Sequence, residues 1–456
     1  MTPEILHHGP ITLLPTAIVL VIAVLLKRPI EALLIGAVSG IIMLNGGDFV
    51  TVTAETTLRV LQDEDLVWVI LVCGAMGSLI GLFIRTGALA AFVDILIARI
   101  KGRFSALMAT WALGIALFVD DYLNSITAGA AMRGITDKYK VSREMLAYVI
   151  DSTAAPISVL IPLSTWGVFF ASVLESTGAA PDGEGMTAYI SGIPYMFYPW
   201  IAVILVPLVA AGKIPLLGPM KTAERRALDT GMCTPPGAEH IEKTNQSIQE
   251  KQGVRRNSLL FLLPMVSLVG FTLYYDLDFL PAVFVTLALT TVVILATRLL
   301  DHHDTFDTII DGFKLMVEAL AIVFAAYMLK DVNGQLGLTN YILELTQPYM
   351  SASTLPFIIF GVMGFVAFAT GSSWGMFVIA LPVIAELTRA TGADLALVIG
   401  ATLSASTFGS HACLYSDATV LTAQSCGTTS IQHAFTQLPY ALLAAALSLF
   451  GFWLLA

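Results

Sequence analysis

The sequence predicts an all-α, polytopic membrane protein made of two inverted-topology repeats, each with a re-entrant hairpin and a broken transmembrane helix. Three observations carry that prediction. Hydrophobic residues make up 57% of the chain and charged residues 12%, against about 25% charged in an average soluble domain. Short matches recur in one order at an offset of about 245 to 250 residues: Leu13-Leu-Pro15 with Leu262-Leu-Pro264, Gly87 and Asp94 with Gly337 and Glu344, Leu146-Ala-Tyr-Val-Ile150 with Leu395-Ala-Leu-Val-Ile399, and Ile193-Pro-Tyr195 with Leu438-Pro-Tyr440. Each match alone is chance-level, but the shared order and near-constant offset are not. Such repeats are the usual construction of secondary transporters. Finally, Asp120 and Asp121 stand side by side in the otherwise apolar stretch Trp111 to Ile135. An ionisable group at membrane depth costs about 2.5 kcal/mol or more and marks an ion path, a proton relay or a substrate site.

The first apolar run, Ile11 to Leu26, ends in Lys27-Arg28 rather than a small-residue cleavage site, so it reads as a retained helix and not a signal peptide. The one long polar segment, Lys213 to Asn257, holds Lys221, Arg225, Arg226, Lys243, Lys251, Arg255 and Arg256. Positive charge flanking short membrane connections stays in the cytoplasm. The segment is therefore a predicted cytoplasmic linker, residues 211–256, between a first repeat, 1–210, and a second, 257–456. By the same rule Lys27-Arg28, Arg99 to Arg103 and Arg133 to Arg143 lie inside, while the acidic loop Gly47 to Asp65 and the Lys/Arg-free loop Glu175 to Gly185 lie outside. The N-terminus then starts outside.

Residues 104–134 have basic flanks at both ends, yet at 1.5 Å per residue they are long enough to enter the membrane and turn back. They predict a re-entrant hairpin with its tip near Asp120 to Thr127. The other spans of the first half are 11–27, 30–46, 66–85, 144–175 and 188–210. An odd number of crossings inverts the second half, with spans 258–275, 280–298, 315–333, 393–424 and 437–456 and a hairpin at 354–384 entering from outside. Segments 88–101 and 338–350 mix apolar and polar residues at helical spacing and read as interfacial helices.

Two spans are too long and too interrupted to be plain helices. In 144–175, Asp151-Ser-Thr-Ala-Ala-Pro156 puts small polar residues before a proline, which frees a carbonyl one turn earlier, and Pro162-Leu-Ser-Thr-Trp-Gly167 follows. In 393–424 the equivalent run is Ser404-Ala-Ser-Thr-Phe-Gly-Ser-His411, with Ser416-Asp417 further on. Unwound backbone at membrane depth is tolerated only where it is buried in protein or lines a cavity. Freed carbonyls, hydroxyls and a carboxylate are the hard oxygen ligands that Na+ prefers.

Each hairpin tip is expected to meet its own half's broken helix. The candidate cation ligands of the first half are Asp120, Asp121, Asn124, Ser125, Thr127, Asp151, Ser152 and Thr153. Those of the second half are Thr370, Ser372, Ser373, Ser404, Ser406, Thr407 and Asp417. Tyr122, Ser164, Trp166, Trp374 and His411 are candidate substrate-cavity residues. The first site is anionic and the second closer to neutral, so one titrates protons while the other holds sodium or polar substrate groups. Against each hydroxyl stands its habit of bonding its own backbone or a neighbouring helix, and against each aromatic, ordinary packing. His411 reads equally as a proton carrier and as a packing residue. Glu318 has Lys314 one turn away as an ion-pair partner and is left out of the site.

Five stretches carry a family resemblance: Phe118-Val-Asp-Asp-Tyr-Leu-Asn-Ser125, Asp137-Lys-Tyr-Lys-Val-Ser-Arg143, Tyr148-Val-Ile-Asp-Ser-Thr-Ala-Ala-Pro156, Gly409-Ser-His-Ala-Cys-Leu-Tyr-Ser-Asp-Ala-Thr419 and Thr436-Gln-Leu-Pro-Tyr440. Together they resemble the NhaC-type Na+/H+ antiporter family of the ion transporter superfamily. The resemblance implies an elevator mechanism in a homodimer and Na+ coupling. It does not fix the substrate, because similar proteins exchange Na+ for H+, swap dicarboxylate for monocarboxylate or carry amino acids. Ser410 stands where the family pattern has Asp, a departure from two symmetric acidic sites.

The resulting expectation is a sodium-coupled secondary active transporter of the cytoplasmic membrane, first of all a Na+/H+ antiporter, with Na+-coupled transport of a small amino acid or carboxylate as the alternative. It is not expected to be an enzyme, and no cofactor is expected beyond Na+ and H+ as coupling ions. An intramembrane aspartyl protease is disfavoured by the lack of a Gly-x-Gly-Asp motif, and a passive channel is the third possibility. No basic stripe suggests nucleic acid, and Cys73, Cys233, Cys413 and Cys426 have no metal-ligand spacing.

Overall fold

The computed structural model describes residues 7–26, 28–97, 100–176, 178–245, 247–371 and 373–455, and among them there is no strand. The first half begins with α1 (Leu14–Leu26), α2 (Pro29–Asn45), α3 (Phe49–Val60), α4 (Glu64–Arg85) and α5 (Ala88–Ile97). The hairpin α6 (Arg103–Ala116) and α7 (Asp121–Lys138) follows, then α8 (Arg143–Asp151), α9 (Ala155–Leu160), α10 (Thr165–Ser176), α11 (Gly185–Gly192) and α12 (Phe197–Ala210). The linker holds α13 (Gly218–Thr230) and α14 (Glu239–Asn245). The second half holds α15 (Leu259–Tyr274), α16 (Phe279–Ala296), α17 (His302–Lys314), α18 (Val317–Leu336), α19 (Leu338–Thr346), α20 (Leu355–Thr370), α21 (Ser373–Thr391), α22 (Leu395–Ala412), α23 (Asp417–Cys426) and α24 (Ser430–Leu455).

Among the described residues five helical segments are long and apolar enough to cross a membrane, 29–60, 64–85, 279–296, 395–412 and 430–455, and two bent pairs, each taken as one span, raise the number to seven. The pairs are 143–160 with 165–175, bent by 43°, and 185–195 with 197–210, bent by 50°. The expected spans at 11–27 and 258–275 appear as shorter apolar helices. The expected span 315–333 falls within α18, whose Glu318, Lys330 and Asp331 lower its hydropathy.

The expected outer loop 47–65 contains a helix. α3 is rich in Thr and Val, which form helices weakly on their own, and tertiary contact overrides that preference. Thr56 and Val60 are buried, and the Arg59 guanidinium makes a two-pronged bond to Asp331 of α18 at 2.7 and 3.0 Å. α17, a segment without a sequence assignment, lies along α4. A Cβ on Gly77 would stand 2.5 Å from the Gly312 carbonyl oxygen, so the two backbones touch. Thus α3 packs on the second half's α18, and α17 on the first half's α4.

One large core gathers α1 to α4, α15, α16, α18 and the inner face of α7, and a second gathers α9 to α12, α20, α22 and α24. The linker clasps one end of the bundle: Arg226 pairs with Glu144 at 2.7 Å, Glu224 takes Arg103 and the Ser142 backbone N–H, and Lys251 reaches Asp304. Glu318 does not pair with Lys314 as expected. It bonds His240 of the linker at 2.9 Å, while Lys314 takes Asp311.

Candidate ion and substrate site

The chain is interrupted where the sequence put its polar residues, with one difference between halves. The first broken span is interrupted twice, at residues 152–154 before Pro156 and at 161–164. In the second half the run 404–411 is regular helix, because no proline falls within Leu395–Ala412, and the break comes at 413–416. Ser404, Ser406 and Thr407 therefore do not line an unwound segment: Thr407 bonds the Leu403 carbonyl and Ser404 accepts from the Tyr198 backbone N–H.

The two lower breaks share one wiring. Ser164 Oγ donates to the carbonyl of Ser158, six residues back, and accepts from Gly167 N–H, three residues on. Ser416 Oγ donates to Ser410 O and accepts from Thr419 N–H, at the same two spacings. Ser164 is thus a positioning residue and does not line the cavity.

Each hairpin tip touches the break of its own half. Thr165 N–H donates to Val119 O, and Thr165 Oγ1 donates to Asp120 Oδ2 at 3.0 Å. In the second half Tyr415 O–H donates to Ala369 O at 2.7 Å, and a Cβ on Gly371, whose φ of +66° favours glycine, would strike the Tyr415 ring at 2.8 Å. Thr370 is bonded to its own Val366 carbonyl. Ser372 and the side chains of Ser373 and Trp374 lie outside the described residues.

Three of the predicted carboxylates come together. Asp120 caps α7, accepting from Leu123 N–H at 3.0 Å, and Asp121 is the first residue of that helix. α7 packs against α23 of the other half, which brings Tyr122 O–H to Asp417 Oδ2 at 2.6 Å. Asp417 opens α23, Thr165 opens α10 and Asp121 opens α7, so three positive helix ends face the same acidic region. Asp120 and Asp121 are buried and Asp417 is half-buried. Among the described residues no Lys or Arg pairs with any of them: Lys330 of α18 is engaged by Asp63 at 3.3 Å and Asp65 at 3.8 Å, and sits 4.4 Å above the Tyr327 ring. The Trp166 indole is buried against Asp121 rather than facing open space. No three His, Cys, Asp or Glu side chains among the described residues converge to chelate a metal ion.

Asp120 and Tyr122 line a cavity of about 310 Å³ whose walls also include the aromatic rings of Trp68, Phe169, Phe279 and Tyr327, the Thr165 hydroxyl and the carboxylates Glu64, Asp65 and Asp278. Tyr327 and Lys330 also border a neighbouring cavity of about 630 Å³ that reaches Thr370 of the second tip. Sequence reasoning missed Trp68, Tyr327 and Thr165. The readable signal was Lys330-Asp331 inside a predicted span, a charge at membrane depth like those it used elsewhere.

Other predicted residues sit elsewhere. Asn124 gives both amide hydrogens to Gly114 O and Thr153 O, at 2.7 and 2.6 Å, so its Oδ1 is fixed as an acceptor. Ser125 bonds Thr422, Thr127 points at the Met265 sulfur, and Thr153 bonds its own helix. Asp151 does not join Asn124 and Ser125. It lies at the C-terminal end of α8, where the following turn aims its side chain at α24, and accepts from Gln437 at 2.7 Å and His433 at 2.9 Å. His411 is buried and enclosed by Ser152 and Tyr198.

Helical architecture, interrupted spans and clustered carboxylates without a Lys or Arg partner among the described residues define a multi-pass membrane transporter. The chain belongs to the Na+/H+ antiporter family, whose sequence profile matches residues 182–456. An uncharacterized protein of Haemophilus influenzae is 27% identical, over 97% of this chain and 90% of that one. The structure of Neisseria gonorrhoeae MtrF, assigned to a class of antimetabolite efflux pumps, covers 96% of this chain and 94% of its own with 11% identity and a TM-score of 0.41. At that distance the likeness says nothing of substrate.

Proposed function

We propose that this chain is a sodium-coupled secondary active transporter of the cytoplasmic membrane that exchanges Na+ for H+. The carrying observation is the group Asp120, Asp121 and Asp417, two buried and one half-buried, none paired with a Lys or Arg among the described residues, beside a cavity walled by both halves. Charges so placed are costly unless neutralised, and a cation or protons supply the neutralisation. The Tyr122 and Thr165 hydroxyls add further oxygens to the site. The matching Ser164 and Ser416 wiring supports the reading of 1–210 and 257–456 as inverted repeats. The packing of α3 and α17 onto opposite halves supports a fixed scaffold of α1 to α5 and α15 to α19, against which the hairpins and broken helices move as an elevator. In proteoliposomes an imposed Na+ gradient should drive H+ in the opposite direction, and Asp120→Asn should raise the Na+ concentration for half-maximal exchange by about 100-fold or more. Undiminished exchange in that variant would overturn the proposal.

A second reading has its own support. A cavity of about 310 Å³ with Trp68, Tyr122, Phe169, Phe279 and Tyr327 in its wall is larger than a bare ion needs and suits a small organic substrate, such as an amino acid or carboxylate moved with Na+. Such a substrate should raise thermal stability in detergent only when Na+ is present.

A further inference from the structure

Asp151 and the α24 residues around it form a second titratable centre, apart from the carboxylates at the hairpin tips. Asp151, His433 and Gln437 are all fully buried. Asp151 Oδ2 accepts from His433 Nε2–H at 2.9 Å and from Gln437 Nε2 at 2.7 Å. The same Gln437 nitrogen also reaches the His411 carbonyl, which locks the amide. Asp151 Oδ1 and His433 Nδ1 have no hydrogen-bond partner among the described residues. A buried carboxylate and imidazole with one free atom each are equipped to accept a proton at one end and store it at the other.

One turn of α24 separates His433 from a cavity on the linker face. A cavity of about 420 Å³ opens there, lined by Arg28, His240, Glu318, Thr428 and Ser430. The Thr428 and Ser430 hydroxyls are buried without a bonded partner, and His433 follows Ser430 by one turn of α24. Other ionisable groups facing the pair are few. α8 contributes Tyr148, α22 His411, α12 Tyr198 and α23 Cys426, while Arg133 and Arg143 act from beyond Cys426. Glu224 of α13 is occupied by Arg103 and Ser142, and α20 carries no ionisable residue.

We propose that Asp151 and His433 form the proton-binding site of this transporter, loaded from the linker face through Thr428 and Ser430 and separate from the cation site at Asp120, Asp121 and Asp417. This rests on the reading of the chain as a Na+/H+ exchanger. His433 Nδ1 takes up one proton while its Nε2–H proton passes to Asp151 Oδ2, giving a neutral imidazole of the other tautomer and a carboxylic acid. The centre goes from one negative charge to none. Helix polarity favours that product, because Asp151 ends α8, where a carboxylate is repelled, and His433 lies in the first turn of α24, where an imidazolium is repelled. The neutral form is also the cheaper one to hold at membrane depth.

The test uses infrared difference spectra of the purified protein between pH 8 and pH 5, alongside proteoliposome measurements of H+ moved per Na+. Acidification should produce a carboxylic-acid band that is absent in Asp151→Asn. His433→Gln, which keeps a donor toward Asp151 but cannot relay, should shift that band's midpoint by about one pH unit or more. Both variants should lose H+ movement by tenfold or more while Na+ binding at pH 8, followed by thermal stabilisation, stays within twofold. An unchanged band in Asp151→Asn, or wild-type H+ movement in His433→Gln, overturns the proposal. Should Asp151→Asn fail to fold, His433→Gln decides alone. A wild-type protein that moves no H+ against Na+ defeats the exchanger reading instead, and the band then still reports whether Asp151 takes a proton.

Discussion

Replacing Asp120 separates its two duties, capping a helix and carrying charge. Its Oδ1 accepts from Leu123 N–H and its Oδ2 from Thr165 Oγ1, both at 3.0 Å. Losing an N-cap costs about 1 kcal/mol and losing a hydrogen bond to a charged group about 1.5 to 3 kcal/mol, partly offset because a buried charge disappears. Asp120→Ala should therefore destabilise the protein by roughly 1 to 3 kcal/mol. Asn caps helices about as well as Asp and still offers an oxygen to Leu123, so Asp120→Asn should stay within about 0.5 kcal/mol of wild type. Its effect on transport should be far larger. One unit charge at about 4 Å from a cation is worth about 4 kcal/mol at an effective dielectric of 20, so the Na+ concentration for half-maximal exchange should rise by about 100-fold or more. Denaturant unfolding in detergent and Na+ uptake into proteoliposomes measure the two quantities. Equal destabilisation by Asn and Ala, with transport scaling to the amount of folded protein, would show that Asp120 only holds the hairpin tip.

Gly114→Ala places a methyl group 2.1 Å from Thr153 Oγ1; the overpacking should cost about 1 to 3 kcal/mol and depress exchange beyond the loss of folded protein, measured per folded molecule in proteoliposomes. Trp68→Leu and Tyr327→Leu should raise the half-saturating concentration of an organic substrate about tenfold with little change in Na+ dependence, whereas Trp166→Leu should lower expression and stability, as checked by transport kinetics and size-exclusion yield. Single cysteines at the exposed positions Gln62 and Asp182 should react with an impermeant maleimide on intact cells, and those at Lys138 and Glu239 only after the membrane is opened. At the linker, hydrogen bonds from Lys251 and then Arg85 hold the Asp304 carboxyl below its ordinary range; a depressed folded-state value stabilises the clasp above about pH 4 and loses that contribution as pH falls through the folded value. Proteolysis of the linker should accelerate below about pH 4, and Asp304→Asn should show the fast rate at pH 7.

Much of the site was legible because membrane burial makes polar residues conspicuous. Asp120, Asp121 and Asp417 stand out wherever their neighbours are apolar, and proline and glycine announce the breaks at Pro156 and at Gly371. What the linear pattern lacked was direction. Asp151 reads like a partner of Asn124, yet it ends α8 and faces α24, where His433 and Gln437, four residues apart on one helical face, await it. The serine run 404–411 resembles an unwound segment, but without a proline nothing stops its backbone from staying helical.

Hydropathy is a sum along the chain, so the sequence by itself determined the all-helical, multi-pass membrane class. The tertiary structure decided which polar groups meet, since that depends on the angle between packed helices. α7 against α23 puts Tyr122 on Asp417 across the two halves, and α4, α16 and α18 close aromatic rings over Asp120. Contacts between residues hundreds of positions apart leave no periodic trace in either segment. For that reason the carboxylates could be read from the sequence, and the cavity and the Asp151 centre could not.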